Sequence, residues 1–241
     1  MNIFAPSYKR SDGVKTHKII PQVKYCVHEF EKGKYQQAGH DVIVLPDETR
    51  GNIAKVRNYI KDNYIPDDGI IIDDDIENIM QWTFEGLEPK AKKVTDFEQF
   101  FELGFLLCKE WGAKLWGVNI LGDKGSYREY TPFGTISPIS ASFMGFTENK
   151  IRFDDRLPLK DDYDFCISNL NEHRKIVRLN AYSLVKKDHG NKGGCADYRN
   201  VEREKQQFDL LQKKWGSVIV KADARAEFDI NPVLNVPIGG V

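Results

Sequence analysis

Three adjacent carboxylates, Asp73, Asp74 and Asp75, follow the apolar segment 69–72 of the chain. Adjacent carboxylates repel one another and a divalent cation relieves the repulsion, with carboxylate oxygens favouring Mg²⁺ or Mn²⁺ over softer metals. Because side chains alternate along an extended strand, we expect Asp73 and Asp75 to project together and to hold a metal that also binds a diphosphate, with Asp74 pointing elsewhere. A solvated acidic turn after a buried strand is the other interpretation of these residues.

A second candidate site is the segment Pro6-Ser7-Tyr8-Lys9-Arg10, directly after the first predicted strand. Tyr8 can stack on a nucleobase, and the planar guanidinium of Arg10 can pair with a phosphate. A basic surface turn explains the same residues without any ligand.

A glycine before a predicted helix marks a third candidate. Gly51 precedes the helical pattern at 52–64, and the unpaired N–H groups at the start of a helix can bind an anion. Lys55, Arg57 and Asn58 would project from the first turns of this helix. Ordinary surface charges on an amphipathic helix explain them equally well.

Two polar clusters in the second half of the chain complete the set. Asp161, Asp162 and Asp164 open a predicted helix, where a carboxylate near a phosphorylated donor can act as a general base. A favourable interaction with the helix dipole is the alternative explanation. Later, His189 can complete a metal shell and Lys192 can add positive charge beside a phosphate, although a single loop histidine is usually only solvated.

The first half of the chain contains elements that would bring these residues together. Short apolar runs alternate with helical patterns, which predicts successive βα units on a mostly parallel sheet. The predicted strands lie at about 2–5, 23–27, 41–45 and 69–73, and the predicted helices at about 30–38 and 52–64. The candidate residues follow strand ends, where open α/β sheets bind their ligands.

The second half has a less regular pattern. A helix is predicted from Thr95, because Thr95-Asp96-Phe97-Glu98 matches a capping box. Further strands are predicted at 114–121, 139–146 and 176–185, with helices at 161–172 and 198–214 and a Gly-, Pro- and Tyr-rich loop at 122–138. The predicted fold is therefore α/β, a single domain over 1–241 with a mixed, mostly parallel central sheet flanked by helices.

Composition and charge narrow the class of protein. The 241 residues are 41% hydrophobic and 29% charged, which is typical of a globular chain. Lys and Arg number 35 against 36 for Asp and Glu, so a nucleic acid would have to bind a local basic patch. The scattered cysteines, an N-terminus that turns polar after five residues and the lack of a long apolar stretch predict a cytoplasmic protein without a membrane partner.

The order of these motifs resembles a known family. Pro-Ser-Tyr-x-Arg, Gly followed by Arg-Asn, Asp-Asp-Asp, Asp-Asp-Tyr-Asp-Phe and a late His-Gly occur in that sequence over about residues 1–190. The arrangement resembles nucleotide-sugar glycosyltransferases of the GT-A fold, most closely the TET-associated glycosyltransferases encoded largely by bacteriophages. The resemblance implies a Rossmann-like domain that uses Mn²⁺ or Mg²⁺ and a nucleotide sugar, with UDP-glucose the expected donor, in the host cytoplasm if phage-encoded.

The resemblance also implies an acceptor and a division of the chain. Members of this family are thought to glycosylate hydroxymethylated pyrimidines, 5-hydroxymethylcytosine or 5-hydroxymethyluracil, in phage DNA. The nucleotide-sugar half would span about 1–120 and the acceptor half about 121–220, followed by a C-terminal tail at 221–241.

Site residues carry over where the motifs match. The expected nucleotide-binding residues are Pro6, Ser7, Tyr8, Arg10, Arg57 and Asn58. Asp73, Asp75 and His189 would hold the metal, while Asp74 would reach the ribose or the sugar. The later acidic motif reads Glu-Asp-x-Asp more often in the family, so the shorter Asp161 leaves open which carboxylate acts; Asp162 is the expected base, ahead of Asp161 and Asp164.

Recognition of a DNA acceptor would need basic and aromatic surfaces. The candidates are Lys90, Lys92, Lys93, Lys124, Arg128, Lys186, Lys187 and Lys192, with Tyr127, Tyr130 and Phe133 as stacking residues. Solvated lysine faces are the simpler explanation of the basic clusters. Three alternatives stay open: the same chemistry on a protein, glycan or small molecule, a nucleotidyltransferase, and a non-catalytic binding module.

Overall fold

A ten-stranded mixed sheet forms the centre of the computed structural model, which describes residues 1–86, 88–123, 125, 127–186, 194, 198–222 and 232–236. The strands of this sheet are β1 (Ile3–Pro6), β2 (Lys24–His28), β3 (Val42–Leu45), β4 (Asp68–Ile72), β5 (Ile76–Glu85), β6 (Glu88–Lys93), β7 (Leu115–Asn119), β8 (Phe133–Gly134), β9 (Phe143–Thr147) and β10 (Val177–Lys186). Two further strands, β11 (Val220–Ala222) and β12 (Pro232–Leu234), form a separate antiparallel pair. The helices are α1 (Glu29–Gln37), α2 (Ile53–Tyr64), α3 (Phe97–Trp111), α4 (Asp161–His173) and α5 (Val201–Trp215).

One half of the sheet is parallel, in the order β3-β2-β1-β4. α1 connects β2 to β3, and α2 connects β3 to β4, as the alternation of apolar runs and helical patterns predicts. α2 begins where it does because Asn52 caps it, its side chain accepting a hydrogen bond from the Lys55 N–H at 3.2 Å. Ala54, Val56 and Ile60 bury the inner face of this helix.

The other half of the sheet is mixed. β9 lies antiparallel between β4 and β7, and β10 is parallel to β7 but antiparallel to β5. The short strand β8, within the predicted loop at 122–138, pairs with β10. The prediction of an α/β fold with a mixed sheet and flanking helices is confirmed.

Two features of the structure differ from the sequence predictions. β5 and β6 form an antiparallel hairpin that no pattern indicated, because the outer strand reads Glu-Pro-Lys-Ala-Lys-Lys and has no apolar alternation. The prediction that a helix begins with a capping box at Thr95 is also wrong. α3 begins at Phe97, and Asp96 caps it by accepting the Gln99 N–H at 2.9 Å.

Trp116 on β7 sets how closely α3 packs on the sheet. Its side chain is fully buried between two glycines, Gly104 of α3 and Gly145 of β9. A Cβ atom would lie 2.4 Å from the ring at Gly104 and 2.0 Å at Gly145, so neither position accepts a side chain without displacing the indole. The phenyl rings of Phe100 and Phe143 complete this layer, with centroids 5.7 and 5.0 Å from the indole.

Three cysteines of the described chain, Cys26, Cys108 and Cys166, are free and buried, while Cys195 lies outside the described residues. Burial raises the pKa of each of the three thiols, which makes the reactive thiolate rare. Among the described helices, none has both the length and the apolar character needed to cross a bilayer.

Candidate active site

A cleft of about 490 Å³ lies beyond the ends of β1 and β4, beside the start of α4. It brings together most of the residues that the sequence singled out. Those that line it are Pro6, Ser7, Tyr8, Arg10, Arg57, Asp73, Asp74, Asp75, Asp161 and Asp162. Segments up to about 150 residues apart in the chain therefore meet in one place, as strand-end positions predict.

The three aspartates form a turn rather than the end of a strand, since β4 stops at Ile72. Alternation along a strand therefore does not set their directions, and their cationic neighbours differ. Arg10 Nη1 lies 3.2 Å from Asp74 Oδ1 and 3.4 Å from Asp75 Oδ2. Asp73 Oδ2 instead lies 3.6 Å from Lys186 Nζ.

Asp74 is the most enclosed of the three carboxylates. It accepts a hydrogen bond from the Ser7 hydroxyl, and Ser7 Oγ lies 2.6 Å from the hydroxyl oxygen of Tyr35. Burial raises the pKa of Asp74 to about 6, although Ser7 and Arg10 favour the ionised form. Asp74 thus joins the loop after β1 to the loop after β4, and its side chain is only 4% exposed toward any sugar in the cleft.

The donor atoms around Asp73 and Asp75 fit a hard cation that is shared with a substrate. Within the described ranges, no three His, Cys, Asp or Glu side chains converge to form a complete metal cage. Mg²⁺ is, however, usually held by one or two carboxylates together with substrate phosphates. Asp75 Oδ1 is buried without a hydrogen-bond partner in the described structure, which leaves it available as a ligand. His189 and Lys192 lie outside the described residues.

An aromatic wall lies beside the first loop. The ring of Tyr8 meets His28 and Phe30 edge-on, with centroids 6.0 and 6.1 Å away. His28 lines the cleft and is 3% exposed; its Nε2 lies 3.2 Å from Thr49 Oγ1, while its Nδ1 has no partner among the described atoms. Sequence reasoning missed His28, although its place at the end of β2, on the same sheet edge, was a usable signal.

Arg57 and Asn58 are adjacent in sequence but make different contacts. The Arg57 guanidinium lines the cleft but is buried, forming an ion pair with Asp161 and donating to the Ala141 carbonyl oxygen at 2.9 Å. Asn58 does not line the cleft. Its amide donates to the Phe153 carbonyl oxygen at 2.9 Å and accepts from the Phe153 N–H at 2.8 Å, so it fixes a neighbouring loop instead of facing a nucleotide.

The three carboxylates of α4 also differ in environment. Asp161 is buried against Arg57, whereas Asp162 is partly exposed to the cleft and has no ion pair among the described residues. Burial raises the pKa of Asp162 above its ordinary value. Asp164 is fully buried away from the cleft, where it accepts hydrogen bonds from Lys214 Nζ at 2.9 Å and Trp215 Nε1 at 2.7 Å. The geometry therefore singles out Asp162 as the accessible carboxylate.

Several cleft residues were not predicted as such. Lys186, which the sequence suggested for a basic outer surface, lines the cleft and donates to Ser142 Oγ at 3.0 Å. Lys160, Tyr198 and Arg199 also line it. Lys160 directly precedes the acidic motif, but the local sequence around these four residues does not place them in the cleft, so only the tertiary fold reveals them.

The residues that the sequence suggested for a DNA-binding surface do not share one environment: some are paired or packed, and others are exposed. Lys90 and Lys92 pair with Glu85 at 2.6 and 2.8 Å, which offsets their charge. Among the aromatic residues, Tyr127 is buried and Phe133 packs 5.3 Å from Trp111 between ring centroids. Lys93 and Arg128 are exposed, as is the side chain of Tyr130 at 82%, and Lys124 and Lys187 lie outside the described residues.

Comparisons with known proteins give distant structural likenesses. S. aureus TarS (residues 1–349) in complex with UDP is 13% identical with a TM-score of 0.47, over 76% of this chain and 59% of that one. A197 from STIV is 14% identical with a TM-score of 0.41, over 83% of this chain and 92% of that one. The chain thus spans about three fifths of the TarS fragment. The search of curated proteins gives no match.

A family model gives a direct result. The model of the TET-Associated Glycosyltransferase family matches residues 1–194, which include the first loop, the acidic turn, Arg57 and the start of α4. This range covers well over half of the 241 residues. The chain belongs to the TET-associated glycosyltransferase family.

Proposed function

We propose that this glycosyltransferase moves a sugar from a nucleotide sugar, UDP-glucose, to the hydroxymethyl group of a modified pyrimidine in DNA, with the help of Mn²⁺ or Mg²⁺. One observation carries the proposal: a single cleft contains an acidic turn bound to Arg10 and, separately, the accessible carboxylate Asp162. Group transfer from a diphosphate needs both a site for the leaving group and a site for the attacking hydroxyl.

The leaving-group side is built from the first loop and the acidic turn. Tyr8 and the unpartnered Nδ1 of His28 are suited to a planar nucleobase, one by ring contact and the other by a hydrogen bond. Arg10 and Lys186 supply positive charge for the diphosphate. A cation held by Asp73 and Asp75 would neutralise negative charge on the departing diphosphate.

The acceptor side is built from the start of α4. A base must come within ~3 Å of the hydroxyl whose proton it accepts, and Asp162 is partly exposed on the cleft for this contact. Arg57 forms an ion pair with Asp161, which leaves the neighbouring Asp162 to accept a proton from the acceptor. This role applies if the reaction inverts the anomeric centre, since a retaining reaction does not require that base.

The assignment of a DNA acceptor rests on the family alone, because Lys90, Lys92 and Phe133, which the sequence suggested for DNA, are paired or packed. The other acceptors, a protein, a glycan or a small molecule, use the same cleft chemistry. A nucleotidyltransferase would also use an acidic pair, but it would release pyrophosphate rather than a nucleoside diphosphate.

The decisive experiment is mass spectrometry of nucleosides from DNA that contains hydroxymethylcytosine, hydroxymethyluracil or only ordinary bases. Each DNA is incubated with the protein, Mn²⁺ and a panel of nucleotide sugars, with Asp162→Asn as the control protein. A hexose mass added only to a hydroxymethylated base establishes donor, acceptor and reaction together. Release of UDP without a modified base would show that the acceptor is a different molecule. Release of pyrophosphate from a nucleoside triphosphate would show that the protein is a nucleotidyltransferase.

A further inference from the structure

Helix α5 lies beyond residue 194, where the match to the family ends, yet it packs directly against the acceptor side of the cleft. Its Phe208 and Leu211 form an apolar cluster with Leu157 and Ile167, on either side of the first turn of α4. Asn200 caps the start of the helix, its side chain accepting the Arg203 N–H at 2.9 Å. α5 is therefore a firmly docked element and not an appendage.

The first polar contact of α5 is with the residue immediately before the acidic motif. The Lys160 side chain is 2% exposed, and its ammonium donates to Glu204 on α5. Glu204 also accepts from Arg199 Nε at 2.8 Å, and Arg199 lines the cleft. A buried ammonium is costly unless an anion and hydrogen bonds compensate it, and Glu204 is the anion that does so here.

The second polar contact fixes the loop that leads into α4. The side-chain oxygen of Gln207 accepts the Leu159 N–H at 3.4 Å, and its side-chain nitrogen donates to the Arg156 carbonyl oxygen at 2.8 Å. At the far end of α5, Lys214 and Trp215 bind Asp164. α5 thus holds the backbone before Asp162 and the side chain two residues after it.

We propose that α5 is part of the active site, with Glu204 and Gln207 as positioning residues for the carboxylate of Asp162. Glu204 keeps the Lys160 ammonium engaged, and Gln207 fixes the turn from which α4 starts. The assignment of a base to Asp162 rests on the proposed function, whereas the positioning itself does not. The charged groups around Asp162 are Arg57 from α2, Lys160 before α4 and Asp161 beside it.

Loss of the Glu204 charge has a defined consequence. The Lys160 ammonium would then lack its anion, and Asp162 is a nearby carboxylate without an ion pair among the described residues. A new pairing between the two would make the Asp162 carboxyl ionise at lower pH, because a neighbouring cation favours the charged form. It would also turn the carboxylate away from an acceptor hydroxyl.

The test compares Glu204→Gln with Glu202→Gln, an exposed glutamate in the same turn of α5. Carbon-detected NMR follows the aspartate carboxyls during a pH titration, with Asp162→Asn to assign the signal. We expect the Asp162 titration to fall by about one pH unit in Glu204→Gln, the lower end of what an adjacent cation causes, and to stay unchanged in Glu202→Gln. An unchanged Asp162 titration in folded Glu204→Gln overturns the proposal.

A second variant keeps the test decisive if Glu204→Gln fails to fold. Gln207→Ala removes a neutral, partly exposed side chain, and one of its partners belongs to the exposed residue Arg156. We expect turnover of UDP-glucose to fall about tenfold or more, as misplaced catalytic groups do, with the donor KM and the thermal midpoint unchanged. Wild-type kcat in this variant overturns the positioning role. Since the NMR titration needs no turnover, absence of glycosyl transfer in the wild type refutes the proposed function separately.

Discussion

The guanidinium of Arg57 binds the carboxylate of Asp161, joining α2 to the start of α4 across 104 residues of sequence. Both side chains are almost fully buried. The negative charge of Asp161 is thus paired with Arg57. The neighbouring Asp162 also faces the cleft, and it has no ion pair among the described residues. Two adjacent and chemically identical residues therefore have different environments, and we propose a structural task for Asp161 and a catalytic one for Asp162.

Substitution should separate these tasks. We expect Asp162→Asn to lower kcat by at least about a hundredfold, the lower end of the contribution of a general base, while the KM for the donor stays within about twofold. Asp161→Asn should instead lower the free energy of unfolding by about 3–5 kcal/mol, because Arg57 is left buried without its anion. Steady-state kinetics and urea unfolding of both variants test this; equal kinetic losses with unchanged stability would contradict it.

Metal dependence should reside in the acidic turn. We expect Mn²⁺ to strengthen UDP binding to the wild-type protein, and EDTA to reverse the effect. Asp75→Asn should bind UDP equally with and without Mn²⁺, because its unpartnered carboxylate oxygen is replaced. Asp67→Asn, an exposed aspartate before β4, is the matched control and should behave as wild type. Isothermal titration calorimetry measures all three proteins, and a full Mn²⁺ response in Asp75→Asn would exclude this residue as a ligand.

Gly194 should control the position of Arg10. Its φ is +60°, its N–H donates to the Tyr8 carbonyl oxygen at 3.0 Å, and a Cβ there would lie 3.0 Å from Arg10 Nη2. Gly112 has a nearly equal φ of +64° with open space around it. Both alanine variants should therefore lose about 1 kcal/mol of stability from the left-handed backbone.

The two glycine variants should differ in ligand binding. We expect Gly194→Ala to weaken UDP binding by about fivefold, equivalent to ~1 kcal/mol, because the new methyl group displaces Arg10 from the acidic turn. Gly112→Ala should bind UDP as the wild type does. Equal affinities in the two variants would show that the Arg10 guanidinium is not held by this contact.

Lys61 should make stability depend on pH. Its ammonium donates to the Ile151 carbonyl oxygen and lies 4.9 Å from the ring centroid of Phe165, and burial lowers its pKa from 10.5 to about 8. Below pH 8 both folded and unfolded states are protonated and the burial cost is complete. Between pH 8 and 10.5 the unfolded state binds more protons, so the free energy of unfolding rises with pH.

The Lys61 contribution can be isolated by difference. The free energy of unfolding of the wild type minus that of Lys61→Met should increase from pH 8 to pH 10, by at most about 3 kcal/mol at 1.36 kcal/mol for each pKa unit. Urea unfolding at several pH values provides both curves. A difference that does not change with pH would show that the ammonium ionises as it does in water.

The sequence predicted the location of the site better than its internal contacts. Arg10 and the aspartate turn follow β1 and β4, and neighbouring parallel strands must bring their ends to one edge. Strand ends can be recognised from local apolar patterns, so this juxtaposition could be predicted. The partner of each aspartate could not, because a turn replaces the strand after Ile72 and changes the direction of each side chain.

Long-range pairs account for most of what the sequence left out. Asn58 adjoins Arg57, yet one side chain fixes the Phe153 loop and the other lines the cleft. Lys160 and Glu204 are 44 residues apart and carry no local pattern that marks them as a buried pair. Such contacts depend on how α4 and α5 dock, which is decided by apolar packing around Leu157 and Leu211.

The docking of α5 also means that substitutions in this helix affect one side of the cleft and not the other. On the side of the cleft that we propose for the donor, Ser7 and Arg10 contact Asp74, whereas the loop before Asp162 contacts α5 at several points. Substitutions in 201–215 can therefore change the side of the cleft that we propose for the acceptor while leaving the loops at 6–10 and 73–75 unaltered in sequence. A lineage could acquire a new acceptor by substitutions in this helix and still use its original nucleotide sugar.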